Sequence, residues 1–255
     1  MSNQPPKFQI AFVIPTYNQL DYALKAAHSA LANTPNSLAM VVDDASPEWK
    51  PSIWNSLPQD RLLLHRFPKN DKNLTRSWNW GLEKARELRI PITVVTNSDV
   101  LFPKNWYTAT VSALENGSAD LVGPITNAPG HRPKQQIASL MTSYKITDDP
   151  KYLDQVQEEM YSKHGQEIWP SLINGFCMTA LTDTWWSGSY SLEHVFRPDF
   201  KMIKNEDELE GRWLAIGRTI AIAPGSFVWH YRGVTRNSTW GAQGRGWFRP
   251  SKKGK

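Results

Sequence analysis

The chain has very little cysteine and no long hydrophobic run. Cys177 is the only cysteine among 255 residues, so an intramolecular disulfide is excluded and a reducing cytoplasm is indicated. The apolar stretches are only a few residues long, which is too short to cross a bilayer. The N-terminal residues lack the charged and then apolar pattern of a secretory signal. Together these absences predict a cytoplasmic protein without an integral membrane segment.

The net charge of +5 is concentrated at the C-terminal end. Residues 241–255 contain five Lys and Arg residues and no acid, so the other 240 residues balance to zero. A neutral body does not resemble a groove built for nucleic acid. We therefore expect 241–255 to be a solvated basic tail, with contact to an anionic surface, either a membrane or nucleic acid, as the alternative.

Tryptophan is the compositional excess, with 12 residues. Aromatic faces stack on sugars and bases, but large rings also fill cores. We expect core positions for at least two of Trp78, Trp80, Trp185 and Trp186, the rest being candidates for sugar stacking. Cys177 lies among apolar residues without a nearby histidine pattern, so we expect it to pack rather than to act as a nucleophile.

The first hundred residues alternate between strand and helix patterns. β-branched and aliphatic runs are separated by segments with apolar residues at helical spacing, and such alternation predicts a mostly parallel sheet flanked by helices. The second half is less regular, but it contains no repeat and no low-complexity linker, so a single α/β domain is expected. The predicted elements are strands at 9–14, 38–42, 61–66, 92–96, 173–180 (interrupted at Asn174-Gly175), 220–223 and 227–229, and helices at 20–32, 74–85, 150–164 and after 205–208.

Polar residues follow three of these strands, at Thr16-Tyr17-Asn18, Asp43-Asp44 and Asn97-Ser98-Asp99. Because the carboxyl ends of parallel strands meet at one edge of a sheet, these residues are expected to form a site. An acidic side chain there, such as Asp99, can hold a divalent cation, which in turn can hold a diphosphate. The alternative for Asn97-Ser98-Asp99 is an ordinary polar turn after a strand. For Asp43-Asp44, we expect one of the two aspartates only to cap the following turn.

The order of these motifs resembles glycosyltransferase family 2, and the resemblance extends from Ile10 to Thr235. It implies a GT-A fold, that is, a Rossmann-like sheet in a single domain. The implied organisation is a flexible N-terminus (1–8), a domain at 9–240 with a nucleotide-sugar-binding half (9–126) and an acceptor-binding half (127–240), and the basic tail (241–255). The matching segments are Phe12–Asn18, Val41–Ser46, Asn73–Gly81, Asn97–Asp99, Asn174–Cys177, Glu206-Asp207 and His230.

The family's activity implies an inverting transfer of a sugar from a nucleotide diphosphate sugar to an acceptor hydroxyl, assisted by Mn²⁺ or Mg²⁺. A UDP- or dTDP-sugar is the favoured donor, because Asp43 or Asp44 can accept the ring N–H of uracil or thymine. The acceptor is expected to be a glycan, a lipid-linked sugar or a small molecule, with nucleic acid as the alternative suggested by the basic tail.

The resemblance also assigns roles to individual residues. Asp207 is expected to be the general base, and Glu206 either raises the pKa of Asp207 or binds the acceptor. The alternative is that Glu206-Asp207-Glu208 is merely an acidic helix start. The expected metal ligands are Asp99 and His230, and the expected nucleotide or diphosphate contacts are Pro15, Thr16, Tyr17, Asp43, Asp44, Asn79, Asn97 and Ser98.

Asn97 departs from the family pattern, which has an aspartate at this position. Asn keeps an acceptor oxygen but loses the charge, so a direct bond to a cation is weakened. This departure motivates a second hypothesis, in which the chain is a catalytically silent nucleotide- or sugar-binding protein on the same fold. Asn79 is left open between a nucleotide contact and a purely structural role.

Overall fold

The computed structural model describes residues 7–141 and 143–232, and a mixed β-sheet lies at the centre of this part of the molecule. The nine strands of the sheet are β1 (Ile10–Thr16), β2 (Ser37–Asp43), β3 (Leu62–Arg66), β4 (Ile92–Thr96), β5 (Val100–Leu101), β6 (Leu121–Thr126), β7 (Trp169–Pro170), β8 (Cys177–Leu181) and β9 (Ile220–His230). The six α-helices of the described residues are α1 (Leu20–Asn33), α2 (Leu74–Glu87), α3 (Tyr107–Glu115), α4 (Pro150–His164), α5 (Thr182–Ser187) and α6 (Asn205–Ala215).

The strand order is β3-β2-β1-β4-β8-β6-β9-β5, with β7 also paired to β9. The first four strands are mutually parallel, as their alternation with helices predicted. The second half then adds antiparallel pairings, because β8 runs against both of its neighbours, β4 and β6. β5 and β7 also run antiparallel to β9, whereas β6 and β9 are parallel. The α/β class is confirmed, and the parallel region comprises β3, β2, β1 and β4.

Continuous apolar runs form the central strands because both faces of the sheet are covered. All seven residues of β1 are buried, and so are all seven of β2. Alternate residues of β1 belong to different core clusters. Phe12 belongs to the cluster that includes residues of α1 and α3, whereas Val13 belongs to the cluster that includes residues of α2, α4 and α6. Helices therefore lie on both sides of the sheet.

Helix boundaries follow local capping signals in the sequence. The Asn73 side chain accepts the backbone N–H of Arg76 and so opens α2. Asp149 caps α4 in the same way, and Gly165, with φ of 51°, ends it. Both ends of α4 were predicted from these residue types.

The structure differs from the sequence prediction at β8 and β9. β8 begins at Cys177, so Asn174 and Gly175 lie in the turn before the strand rather than inside it. The strands expected at 220–223 and 227–229 are one strand of 11 buried residues with an irregular register opposite β6. The bulged backbone is satisfied by Gln157 of α4, whose side chain bonds the Gly225 carbonyl and the Phe227 N–H. A single side chain from a distant helix thus keeps the strand continuous.

The core accommodates much of the tryptophan excess. Trp78 and Trp185 are fully buried, which confirms the expectation that at least two of the four candidate rings fill the core. Cys177 is fully buried as well, and burial raises the pKa of its thiol, as expected of a packing residue. Half-buried Trp80 stacks on His65 with ring centroids 4.1 Å apart. Residues 1–6 and the basic tail lie outside the described residues, and among those described no helix is long and apolar enough to cross a membrane.

We expect Gly81→Ala to destabilise the protein, because α2 packs directly on β1 at this residue. A Cβ at position 81 would lie 2.2 Å from Val13 Cγ1, and such overpacking typically costs about 1–3 kcal/mol. Gly211→Ala in α6 is the matched control, since a Cβ there meets nothing within 4 Å. Helix propensity then predicts a gain of up to about 1 kcal/mol for the control. Denaturant unfolding of both variants measures the difference, and equal effects would contradict the close packing of α2 on β1.

Candidate active site

Polar ends of three parallel strands meet at one edge of the sheet, as the sequence predicted. Thr16 at the end of β1 lies opposite Asp43 at the end of β2, and the Asp44 N–H donates to the Thr16 carbonyl at 2.9 Å. β4 flanks β1 on the other side, in parallel, so the segment from Asn97 to Asp99 leaves the same edge.

Asp99 and His230 lie side by side at this edge. β5 begins directly after Asp99 and runs antiparallel to the end of β9, where Val100 pairs with His230. The Asp99 carbonyl accepts the N–H of Tyr231 at 2.9 Å, which fixes the register. As a result, Asp99 Oδ1 lies 3.3 Å from His230 Nε2, and both residues are buried. The structure thus brings together the two residues predicted as metal ligands.

Neighbouring backbone and a neighbouring ring fix the His230 imidazole. Nδ1 lies 2.9 Å from the Ala128 carbonyl, which only accepts, so Nδ1 carries a proton and Nε2 faces Asp99. The Asn127 side chain bonds both the N–H and the carbonyl of His230, at 2.8 and 3.0 Å. The ring of Phe176 stacks on the imidazole with centroids 5.2 Å apart. This orientation is the one that a metal-binding histidine requires.

The chemistry of the Asp99–His230 pair fits a divalent cation. Two ligands at right angles, each about 2.1 Å from a cation, lie about 3 Å apart, close to the 3.3 Å between Asp99 Oδ1 and His230 Nε2. Within the described part of the chain, no group of three or more His, Cys, Asp or Glu residues is arranged to hold a metal. The two side chains would therefore leave coordination positions open for water or phosphate oxygens, as in catalytic rather than structural sites.

Asp43 and Asp44 each organise a turn. Asp43 is fully buried, accepts the N–H and hydroxyl of Ser46, and pairs with Arg66 at 3.2 Å. Burial raises the pKa of Asp43, although Ser46 and Arg66 oppose that rise. Asp44 pairs with Arg76 and accepts from the Asn70 amide at 2.9 Å. Both carboxylates therefore have structural partners, where the sequence led us to expect one, and a base contact by either stays a prediction.

The other predicted nucleotide contacts, Pro15, Thr16, Tyr17 and Asn79, have different surroundings. Thr16 Oγ1 is buried at the strand end, and none of the described residues forms a hydrogen bond with it. Pro15 is buried in β1, whereas Tyr17 is half-buried just beyond it. Asn79 is buried, and its amide bonds both the N–H and the carbonyl of Phe196 at 2.8 Å. These two bonds support the structural alternative for Asn79, and its contact with a nucleotide stays a prediction.

Asn97 and Ser98 lie between β4 and Asp99. The Asn97 N–H donates to the Phe176 carbonyl at 2.9 Å, and its side chain is half-buried. Ser98 is buried. The hydrogen bond to the Phe176 carbonyl fixes the Asn97 backbone to the turn before β8, two residues along the chain from Asp99.

A second group of charged residues surrounds the start of α6. Arg132 pairs with both Asp207 and Glu210, and His131 Nε2 lies 3.6 Å from Asp207 Oδ1. Glu210 is buried and also accepts the N–H of Ile173 at 2.7 Å. Burial raises the pKa of Glu210 to about 7 even though Arg132 and the Ile173 N–H oppose that rise. Asp207, the predicted base, is nearly half exposed, with 47% of its side chain accessible.

Sequence reasoning missed Arg132, Glu210 and Asn174 as members of this group. The sequence around Arg132 shows no helical or strand periodicity, so it gave no indication that Arg132 would pair with Asp207 and Glu210. Glu210 carries one usable signal, since it follows Glu206 by four residues and therefore lies on the same face of the helix. Asn174 was quoted only as part of a motif, yet its buried Oδ1 lacks a hydrogen-bond partner among the described residues.

The two groups form one continuous region. Asn127 and Ala128 hold His230, and a few residues later Arg132 holds Asp207. On the other side, the turn before β8 places Phe176 on His230 and Gly175 against Glu206. A separate cavity of about 730 Å³ lies between α1, β5 and the start of α4, and none of the predicted site residues lines it.

A family model described as glycosyl transferase family 2 matches residues 11–176, which is more than half of the chain. The chain belongs to glycosyl transferase family 2. This matched segment contains the three polar strand ends and stops at Phe176, before α6 and His230. No curated protein matches the chain.

Solved structures of glycosyltransferases share the fold. The crystal structure of GalNAc-T7 with UDP, GalNAc and Mn²⁺ has a TM-score of 0.63 and 16% identity, covering 88% of this chain and 44% of that one. The structure of S. aureus TarS 1–349 in complex with UDP has a TM-score of 0.58 and 14% identity, covering 87% of this chain and 60% of that one. This chain therefore spans about half the length of the proteins it resembles. The GT-A fold predicted from the sequence is confirmed.

We expect the stability of the protein to depend on pH through Glu210. The folded protein raises the pKa of Glu210 from 4.5 to about 7, so the folded state holds this proton more tightly than the unfolded chain does. Its contribution to stability is therefore full below the lower value and is lost as the pH rises through the higher one. Between about pH 5 and about pH 7.5, the wild type should lose on the order of 1–3 kcal/mol relative to Glu210→Gln.

Denaturant unfolding of both proteins at the two pH values tests this expectation. Glu115→Gln, at an exposed position at the end of α3, is the control and should follow the wild type. Identical pH dependence in the wild type and Glu210→Gln would show that Glu210 is not the group responsible.

Proposed function

We propose that the chain is an inverting glycosyltransferase that uses a nucleotide diphosphate sugar, with a UDP- or dTDP-sugar as the favoured donor. The observation that carries this proposal is the Asp99–His230 pair, held 3.3 Å apart at the carboxyl edge of the parallel strands. Open α/β sheets bind ligands at this edge. The UDP and Mn²⁺ in the GalNAc-T7 structure belong to that protein, and they support the same donor chemistry here.

Asp99 and His230 would hold Mn²⁺ or Mg²⁺ through Oδ1 and Nε2. When bound, the cation supplies a Lewis acid that offsets the charge gained by the departing diphosphate. The Ala128 carbonyl keeps the proton of His230 on Nδ1, so Nε2 retains its lone pair for this role. Phe176 holds the ring from its face. Asn97 and Ser98 would lie beside the diphosphate, with Asn97 providing an uncharged oxygen.

The nucleotide would lie along the ends of β1 and β2. Pro15 and Thr16 at the end of β1, with Tyr17 just beyond, would cradle the base and ribose, and the Thr16 hydroxyl, which has no partner among the described residues, could bond to them. Of the two aspartates, Asp44 is the better candidate for the ring N–H of the base, because Asp43 is fully buried and Asp44 retains 6% exposure. Asn79 would act by holding Phe196 beneath this region.

The transfer requires a base on the acceptor side. The acceptor oxygen attacks the anomeric carbon opposite the leaving diphosphate, and a carboxylate removes the hydroxyl proton as the new bond forms. The first turn of α6 supplies the predicted carboxylates, Asp207 and Glu206. Holding donor and acceptor together removes a further part of the barrier.

The acceptor is proposed to be a glycan, a lipid-linked sugar or a small molecule bound by the 127–240 half. A nucleic acid acceptor, or docking of the basic tail on an anionic surface, remains the alternative. A cytoplasmic location likewise remains a prediction from the sequence.

We expect Asp99→Asn and His230→Gln to weaken metal-dependent UDP binding by about 10- to 100-fold each, since each removes one protein ligand. Titration of UDP with and without Mn²⁺ measures this loss. His28→Gln, an exposed histidine on α1, is the control and should bind as the wild type does. If the wild type gained no affinity for UDP from Mn²⁺ or Mg²⁺, the metal assignment would be wrong.

Release of nucleotide from a panel of UDP- and dTDP-sugars, with Mn²⁺ or Mg²⁺ and with glycan, lipid-linked and small-molecule acceptors, tests the activity itself. We expect turnover with at least one donor and a product of inverted anomeric configuration, read by NMR. Metal-dependent binding without turnover of any donor would favour the silent binding protein that Asn97 suggests. Retained configuration would contradict the inverting mechanism.

A further inference from the structure

Three consecutive carboxylates in the first turn of α6 have different surroundings. Asp207 pairs with Arg132 and with His131, and Glu208 pairs with Arg212 at 3.0 Å. Glu206 makes no hydrogen bond or ion pair with any described residue. Asp207 and Glu208 therefore form ion pairs within the protein, whereas the Glu206 carboxylate could bind a substrate.

The Glu206 carboxylate packs on the backbone of Gly175. A Cβ at position 175 would lie 3.2 Å from Glu206 Cδ and 3.3 Å from Oε2, so the absence of a side chain there makes room for the carboxylate. Glu206 is half-buried, whereas Asp207 points toward solvent with 47% of its side chain exposed. Glu206 is thus the more enclosed of the two carboxylates.

Gly175 belongs to the turn before β8, which contacts His230 of the Asp99–His230 pair through Phe176. The next residue, Phe176, stacks on His230, and its carbonyl accepts the N–H of Asn97. A carboxylate resting on Gly175 therefore lies one residue along the chain from the contacts that fix Asn97 and His230.

The same turn offers an unused acceptor for a ligand. Asn174 is 4% exposed, and its Oδ1 has no hydrogen-bond partner in the described part of the chain, although its N–H and its Nδ2 both donate to Gln135 Oε1. A Cβ at position 130 would approach this oxygen to 3.0 Å, so Gly130 keeps the space beside it clear. An unpaired buried oxygen and an unpaired carboxylate on neighbouring residues of one region are the groups that a polyhydroxyl acceptor would bind.

We propose that Glu206, rather than Asp207, is the catalytic base of the transfer, and that Asn174 Oδ1 accepts a second hydroxyl of the acceptor. The inference rests on the proposed function. The Glu206 carboxylate takes the proton of the acceptor hydroxyl while that oxygen forms its bond to the anomeric carbon. The bond from the anomeric carbon to the diphosphate breaks, and the diphosphate leaves with the electron pair.

Asp207 then acts as part of the surrounding scaffold. Arg132 bridges Asp207 and buried Glu210, and Glu210 in turn accepts the N–H of Ile173 just before Asn174. This bridge ties α6 to the turn that carries Asn174 and Gly175. Glu206 lies one helical turn before Glu210 on α6, and its charge contributes to the raised pKa of Glu210.

Glu206→Gln and Asp207→Asn are compared in the full chain with the donor and acceptor that give turnover, with Mn²⁺ present. We expect Glu206→Gln to lower kcat by about 100-fold or more, as the loss of a general base does, while the Kd for UDP and Mn²⁺ stays unchanged. Asp207→Asn should retain most of the wild-type kcat. Thermal melting of both variants checks that they are folded.

Gly175→Ala provides a second variant that leaves all three carboxylates in place. Its methyl group should displace the Glu206 carboxylate and lower kcat without changing donor affinity. Gly211→Ala is the matched control. Gly211 lies in α6, the helix that carries Glu206, and a Cβ there meets nothing within 4 Å, so this variant should keep the wild-type kcat.

Retained kcat in Glu206→Gln would overturn the inference, and so would a loss in Asp207→Asn as large as that in Glu206→Gln. Either result leaves the glycosyltransferase activity of the wild type standing. Absence of turnover by the wild type with every donor would instead overturn the proposed function, and the inference with it.

Discussion

The antiparallel pairing of β8 with β4 is the interaction on which the site depends. It places Cys177 opposite Thr96, and the Phe176 carbonyl accepts both the Asn97 N–H and the Thr96 hydroxyl at 2.9 Å. The polar end of a parallel strand is thereby fixed beside the turn before an antiparallel one. Because that turn carries Phe176 and Gly175, the pairing also positions the His230 ring and the start of α6.

The carboxylates around the site fall into two groups, those that form an ion pair with an arginine and those that do not. A buried carboxylate loses hydration, and a cationic partner offsets part of that loss. Arginine provides this partner at both ends of the site, and these ion pairs anchor the turns and loops that frame it. The pairs are Asp43 with Arg66, Asp44 with Arg76, and Asp207 and Glu210 with Arg132. Asp99 and Glu206 have no ion pair with arginine among the described residues, which supports their proposed roles toward a cation and a substrate proton.

The sequence predicted those elements whose signals are local. The Asp149 and Gly165 caps of α4, the apolar runs of the parallel strands and the polar residues at their ends all lie within short windows, and each was found in place. The continuity of β9 was not predicted, since it depends on Gln157, which is about 70 residues away. The partners of Arg132 were missed for the same reason, because their contacts join segments that carry no shared pattern.

By itself, then, the sequence determined the α/β class, the order of the strands along the chain and the residue types present at the sheet edge. Periodicity and capping act over a few residues, so these features are encoded locally. The tertiary structure alone decided that β8 runs antiparallel, that Asp99 meets His230, and that Arg132 occupies Asp207 and leaves Glu206 unpaired. Those outcomes depend on contacts between residues that are far apart in the sequence and meet only in the folded sheet. Neighbouring acidic residues in a sequence do not indicate which of them will form an ion pair.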